Sequence, residues 1–531
     1  MHKLLFPCCL IALLTTATPL RATQAIANWD VVPGQAIDKP FKCGVVAFHE
    51  TGVDVEFKIN GKEAGRVKEP TRNDQTGVFE YWIEIDPAKY PDGPVTVSAT
   101  AIPDGTGHET RLLEDLNLFA NSKGTVGSTA TVWVDAAKGD DADGKGTEES
   151  PYATVRKGVL MVPDGGTVYL KAGKNYSLTP IGGGAFTYWT TVSAAPGLKA
   201  DDVHILTYGK DDSTTGRYGK SRIHWKNVSL FCDRKPGWGT LFYFEKGDLI
   251  WFDQAVLYDK NGRLSGTTLF NGAGAMTYLT DSTIREFMNC GGDFQRNVTM
   301  ENIGSDIYRG STNLTAINVT IHRIDRGETE AHPDFIQFYS PKVPVENVIL
   351  YNIKVYDMLA QGIFGTQGPV KDVAIVNLLL EKDPPEAAFV SQLSGEIDHM
   401  LIWNATLVDQ MFNFRNSAQL SCFDVRNGVF AGLATDNPDH TSIVIESAHT
   451  KKLAWNQKQP LGANPTTGDP VFVNEEGDDY RLSPQSPGHQ TGVLCPGVPA
   501  DVDGIPWGDK PNRGAFAADN PGKSIPAASY K

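Results

Sequence analysis

Residues 348–430 decide the fold. VILYNIKV (348–355), VAIVNLLL (373–380), MLIWNATL (400–407) and CFDVRNGVF (422–430) follow one another with Asn352, Asn377, Asn404 and Asn427 at one matched position. Working outward to the N-terminal side, LTAINVTI, NVTMENI, MTYLTDSTI and LIWFDQAVL extend the series, with Asn318, Asn297, Asp281 and Asp253 at the same place. Each segment is short, alternating or continuously apolar, and rich in Val, Ile and Leu, which is a strand pattern. Self-similarity at a period of about 25 residues marks a repeat architecture. One such strand cannot bury its face alone, but stacked copies can, at about 4.8 Å per coil around an apolar core. The expected fold is all-β: a parallel β-helix over about residues 131–490, with the Asn column buried and each amide bonding the one above and below.

A second column runs in step with the first. Asp306, Asp334, Gly362, Ala388 and Asn413 recur at spacings of 28, 28, 26 and 25, so each coil should carry at least two strands. Two intervals break the rhythm. Asp281 to Asn297 is only 16 residues, too short for a full coil unless a strand is missing or the register slips; Asn318 to Asn352 is 34, which implies an insertion containing Arg326 to His332.

The chain has 531 residues, 53 of them Gly, and 21% are charged, which suits a turn-rich β protein. Met1–Ala25 reads as an export signal: Lys3, the apolar run Leu4–Leu14, then Ala22-Thr-Gln-Ala25 as an A-x-A-like cleavage site. The run is too short to span a membrane, so a secreted or periplasmic protein is expected. Net charge is −15, or −17 once Lys3 and Arg21 are gone. Such a surface disfavours nucleic acid and anionic membranes as partners. The remaining Cys43, Cys232, Cys290, Cys422 and Cys495 show neither zinc spacing nor a dense disulfide framework.

Residues 28–125 read as a separate small β-sandwich. Asn60-Gly61 sits between alternating runs as a hairpin turn, and FEYWIEID and PVTVSATAI follow. The module resembles the immunoglobulin-like modules of exported bacterial proteins, contains no catalytic cluster, and is expected to be dispensable for turnover. Between the modules, Ser150 and Pro151 open a short helix with Val155, Val159 and Val162 on one face, suited to capping a solenoid end. This entry segment, with GDPVFVNEEGDDYRLSPQSPGHQTG and DVDGIPWGDKPNRGAFA near the other end, resembles the right-handed parallel β-helix proteins of the pectate-lyase-like superfamily over residues 131–518. The resemblance implies export and carbohydrate binding or cleavage. The fingerprint of pectin hydrolases (paired Asp, Gly-His-Gly, Arg-Ile-Lys) is absent.

Chemistry on such a scaffold needs polar residues of adjacent coils converging beside a loop. Asp306, Asp334, His332, Arg309 and Arg323 are the candidate catalytic residues, with Gln337, Arg326 and His322 as substrate contacts. Asp293, Asp306 and Asp334 are a candidate calcium set. In a lyase, Arg309 and Arg323 or Ca²⁺ would neutralise a uronate carboxylate while His332 or His322 took the proton. In a hydrolase, Asp306 and Asp334 would act as the carboxylate pair. The expected activity is a lyase on an acidic polysaccharide, with a glycoside hydrolase or a non-catalytic glycan-binding solenoid as alternatives. The last would use aromatic platforms, for which Trp225, Trp238, Tyr243 and Trp251 are available; the same aspartates also suit turn capping.

Overall fold

The computed structural model describes residues 22–179, 181, 184–208, 221–233, 237, 239–244, 246–271, 274–328, 332–339, 342–382, 390–415, 419–436, 443–454 and 457–522. Most of the expected leader, Trp238, Ala388 and the loop tip 329–331 lie outside these residues, as does the side chain of Tyr243.

The repeat becomes one parallel sheet of 26 strands, from Thr131–Val134 to Thr466–Thr467. Each strand pairs with its equivalent one coil on, as in Ile353↔Leu378 and Leu378↔Ala405, so the chain coils as a parallel β-helix. Alternate residues on each side of a corner, such as Val348 and Leu350 before Asn352 and Ile353 and Val355 after it, fill a continuous apolar core. A helix, Val155–Met161, inserts Val155 and Val159 into that core at the first coil. Its N-cap is Thr154, whose hydroxyl accepts the Lys157 N–H, and not Ser150. Ser150 lies in the preceding turn, where its hydroxyl accepts the Lys145 N–H instead.

The Asn column turns the corner of each coil. Asp281, Asn297, Asn318, Asn352, Asn377, Asn404 and Asn427 all have φ between 51° and 58°, the left-handed region that Asn and Asp tolerate best. Each amide donates to the side-chain oxygen of the coil before, at 2.8–3.0 Å, in an unbroken ladder from Asn427 back to Asp281. Asp253 is not a rung. The corner there is Gln254, φ 52°, and Asp253 precedes it, pairing with Thr280 and held by Lys226 and Thr280. The interval of 16 is a genuine coil: Tyr278 pairs with Phe294 and Thr283 with Thr299.

The ladder lies outside the coil core, and its buried part is covered by the rest of the chain. Asn377 also donates to the Ala500 carbonyl and Asn427 to that of Val493, so the C-terminal segment lies along it. Asn377→Leu would strand the Asn404 amide, the Asn352 oxygen and the Ala500 carbonyl, and would force a branched side chain into the left-handed region. It is expected to cost about 3–5 kcal/mol by chemical denaturation. Asn377→Gly keeps the backbone relaxed and should cost less; a loss under about 1 kcal/mol for the Leu variant would show that the ladder is decorative.

The second column is shorter than expected. Asp306 and Asp334 are in register, since Tyr308 pairs with Ile336, but Asp334 pairs onward with Gln361 rather than Gly362. Asn413 pairs with Gln392, which pairs with Phe364, placing it in the Arg309–Gln337 column. Loops of different length between strands shift the register, which spacing alone does not reveal.

Residues 26–120 form two mainly antiparallel sheets that share one core, including Val45, Tyr81, Val55, Phe57, Val97 and Leu118. This module does not stand apart. Its Ile26, Val46, Phe48 and Val78 pack on the outer face of the solenoid sheet, against Ile317, Ile349, Tyr351, Ala374, Val376, Leu401 and Trp403. That explains why these repeats are apolar on both faces. Polar contacts flank the seam: Arg296 with Asp30 at 2.8 Å, Arg111 with Asp372 at 2.5 Å, and His399 between Asp372 at 2.8 Å and Glu50 at 3.1 Å. Behind Glu50, the Thr23 hydroxyl lies 3.0 Å from both His49 Nε2 and His108 Nδ1.

Candidate functional site

The 16-residue coil makes a cleft. Its turn after Met288 is reduced to Cys290-Gly-Gly-Asp293, with Gly291 and Gly292 at φ 49° and 135°. A Cβ on Gly292 would meet Leu279 and Gln295 at 3.0–3.1 Å, so the turn stays tight against the coil. The longer coils on either side rise past it. The resulting cleft of about 680 Å³ is lined by Thr268 and Phe270 of the coil before, Met288–Asp293 of the short coil, Ser305–Arg309 of the next, and His332 and Gln337 beyond.

Five of the expected residues line this cleft: Asp293, Asp306, Arg309, His332 and Gln337. Asp306 is almost wholly buried and is held at both oxygens. Oδ1 accepts the Asp334 backbone N–H at 3.0 Å, and Oδ2 accepts Arg309 Nε at 3.0 Å. The Arg309 side chain is otherwise 75% exposed, so its outer guanidinium face is open to a ligand. Asp293 anchors one oxygen on the backbone and hydroxyl of Thr277, at 2.9 and 3.0 Å, and burial pushes its carboxyl above the ordinary range.

Asp334 does not line the cleft; it is fully buried one coil on. Gln337 Nε2 donates to its Oδ2 at 3.0 Å, while Oδ1 has no donor. Burial, then the neighbouring charge of Asp306, pushes its carboxyl up to about 8. Gln361, its register partner, also has a buried oxygen with no donor. Asp334 therefore positions Asp306 from beneath through its N–H.

Three expected residues lie elsewhere. Arg323 sits at a corner with φ 68° and shares Asp325 with Arg263, at 3.0 and 2.6 Å. His322 is on another face, stacked on Tyr356 with ring centres 5.3 Å apart, and burial lowers its pKa. Arg326 follows that strand and is not among the residues lining the cleft. In a strand, successive side chains point to opposite sides, and the left-handed corner at Arg323 diverts the chain again. Nearness in sequence to the insertion therefore did not bring these three to the site.

Of the expected calcium set, Asp293 and Asp306 line the cleft and Asp334 does not. Among the described residues the one group of three His, Cys, Asp or Glu donors within 4.8 Å of one another is His49, Glu50 and His108 at the seam, not the three aspartates. Cys290, in the cleft wall, is buried and its thiol is pushed up to about 12, which makes it no nucleophile. Of the aromatic candidates, Trp225 fills the coil core, while Trp251 stacks flat on His224 at 3.8 Å, leaving that ring face covered.

No family model matches the chain, and no curated protein matches it. Among solved structures, a complex of XylC with xylose is similar at 7% identity, over 73% of this chain and 98% of that one, with a TM-score of 0.40. A GH136 lacto-N-biosidase from Eubacterium ramulus matches at 11% identity, over 64% and 68%, with a TM-score of 0.30. A rhamnogalacturonan lyase matches at 13%, over 63% and 87%, with 0.26. Superpositions this loose carry no inference about activity.

Proposed function

We propose that this protein is an exported enzyme that cleaves a glycan in the cleft above Asp306, by hydrolysis with Asp306 and Asp293 as its two carboxylates. One observation carries the reading: two aspartates in unlike surroundings line a single cleft. Asp293, its carboxyl raised by burial, is suited to hold a proton and pass it to the glycosidic oxygen. Asp306, fixed by Arg309 and the Asp334 N–H, is suited to act as the base that activates water or as the nucleophile. Asp334 keeps Asp306 in place. A β-eliminating lyase is the second reading, because Arg309 and His332 share the cleft and supply a cation for a uronate and a base for its proton. The two acids in the same cleft weigh against an anionic substrate. The export leader is read from Lys3, the apolar run Leu4–Leu14 and the small residues that follow. N-terminal sequencing of the mature protein reads that directly.

A panel of neutral and uronate polysaccharides separates the readings. Hydrolysis yields reducing ends alone; elimination adds the ultraviolet absorbance of an unsaturated end. Asp306→Asn is expected to lower turnover by about 10³-fold with the fold intact. Near-normal turnover in that variant would remove Asp306 from the chemistry. Cleavage of no glycan would remove the reading altogether.

A further inference from the structure

A second depression adjoins the cleft, and the N-terminal module builds half of it. Its volume is about 340 Å³, within the usual range for ligand sites. One wall comes from Trp29 and Arg111–Leu116, the other from Tyr278, Phe294, Thr312 and Glu346 of the solenoid. The two hollows are neighbours: Asp293 lines both, and Ser311 of one is followed by Thr312 of the other. We infer that this seam trough binds the neighbouring sugar units of the glycan cut at Asp306, so that the N-terminal module is part of the substrate site, and that those units are uncharged.

The chemistry of the walls argues for both parts. Aromatic side chains offer faces and edges to sugar C–H groups, and Trp29 is fixed by donating its indole N–H to the Glu114 carbonyl at 2.8 Å. Glu114, Asp115 and Glu346 are acceptors for hydroxyl groups and repel carboxylates. The cation in the wall, Arg111, is engaged at Nε with the Ala25 carbonyl at 2.6 Å and at Nη2 with Asp372 at 2.5 Å, which leaves a uronate poorly served. Leu112 stands 71% exposed at the trough, a large apolar side chain that the module core does not use. Asp293, shared by the trough and the Asp306 cleft, is the reason to place there further units of the same glycan and not an unrelated ligand. The assignment rests on the reading of Asp306 as the cleavage point.

Leu112→Trp fills the trough from an exposed position and should not disturb folding. The probes are cello-, xylo-, manno- and galacto-oligosaccharides of increasing length, with polygalacturonate as the charged comparison. On whichever series is cut, kcat/KM for long members is expected to fall by about tenfold, with the shortest cleaved member unaffected, because remote binding energy is lost only where a sugar reaches the trough. Glu346→Ala should repeat the pattern. An equal effect at every length, or none, overturns the seam site while leaving Asp306 untouched. Preference for polygalacturonate overturns the uncharged assignment. If affinity electrophoresis shows binding without cleavage, weakened by Leu112→Trp, the seam site stands and the Asp306 reading falls; no binding and no cleavage removes both.

Discussion

A chain beginning at Ser128, without the N-terminal module, is expected to accumulate as insoluble protein. Removing the module leaves the outer face of Ile317, Ile349, Tyr351, Ala374, Val376, Leu401 and Trp403, all at most 1% exposed in the intact protein, covered only in part, by Cys495 and Val498 of the C-terminal segment. At about 1.5–3 kcal/mol for each large side chain, the interface is worth on the order of 10 kcal/mol. The polar contacts of the seam change the sum little, because Asp372, His399 and Arg296 regain water when Arg111, Glu50 and Asp30 leave. What remains is a stacked sheet with a contiguous apolar outer face, the surface that monomeric proteins avoid. Co-expression with residues 22–127 should restore solubility, since the module has its own core of Val45, Phe57, Tyr81 and Val97. A soluble, monomeric chain from Ser128 with an unchanged Tm would show that the seam is incidental. The module had looked dispensable in the sequence because its strands carry no catalytic cluster; its part is to cover the solenoid and to wall the trough.

The architecture was legible because its determinants are local and repeated. Asn352, Asn377, Asn404 and Asn427 announce themselves by position, and the left-handed corner gives a physical reason for that residue type at each. The doubly apolar strands VILYNIKV and VAIVNLLL were also a signal that something covers the outer sheet, since a one-sided strand alternates. The site was legible only in part. Asp306, Arg309, His332 and Gln337 meet in one cleft because they lie on neighbouring coils close to the expected register. Register gives the column but not the depth: Asp306 lines the cleft, while Asp334, one coil on, is fully buried and does not. His322 and Arg323 were drawn in by adjacency in sequence across a corner that sends them elsewhere. The 16-residue interval looked like a flaw in the repeat, yet the omitted turn is what opens the cleft. An anomaly in a regular series is where a solenoid departs from its own packing, and function concentrates at such departures.

Raising the pH from 6.5 to 9 is expected to destabilise the protein steeply, with Asp334 and His399 responsible. Asp334 holds its proton up to about 8 in the folded chain against an ordinary 3.8, so unfolding releases a proton throughout that interval and stability falls as pH rises to 8. His399 is raised from 6.5 to about 9: burial lowers it, but the hydrogen bonds and charges of Asp372 and Glu50 outweigh burial. Its contribution is complete below 6.5 and is lost as pH rises through 9. The other groups at that contact are Arg111, bonded to Asp372, and His49, whose ring lies 5.9 Å away and which burial lowers to about 4. His49 and His449, also lowered to about 4, favour the folded state as pH rises towards 6.5, and they offset Glu381, raised to about 7 mainly by burial, in the acid range. Above 6.5 the histidine offset is exhausted. Asp334, His399 and Glu381 then each hold an extra proton in the folded state up to pH 7, Asp334 and His399 from 7 to 8, a slope of about 2.7 kcal/mol per pH unit, and His399 alone from 8 to 9. Calorimetric Tm should therefore begin to fall near pH 6.5 and drop by about 5–10 °C by pH 9. Asp334→Asn should roughly halve the slope between 6.5 and 8, and His399→Gln should remove the part that persists to 9. A Tm flat across this range in the intact protein would mean that Asp334 is ionised in the folded chain and that the charge at the seam is balanced without the His399 proton.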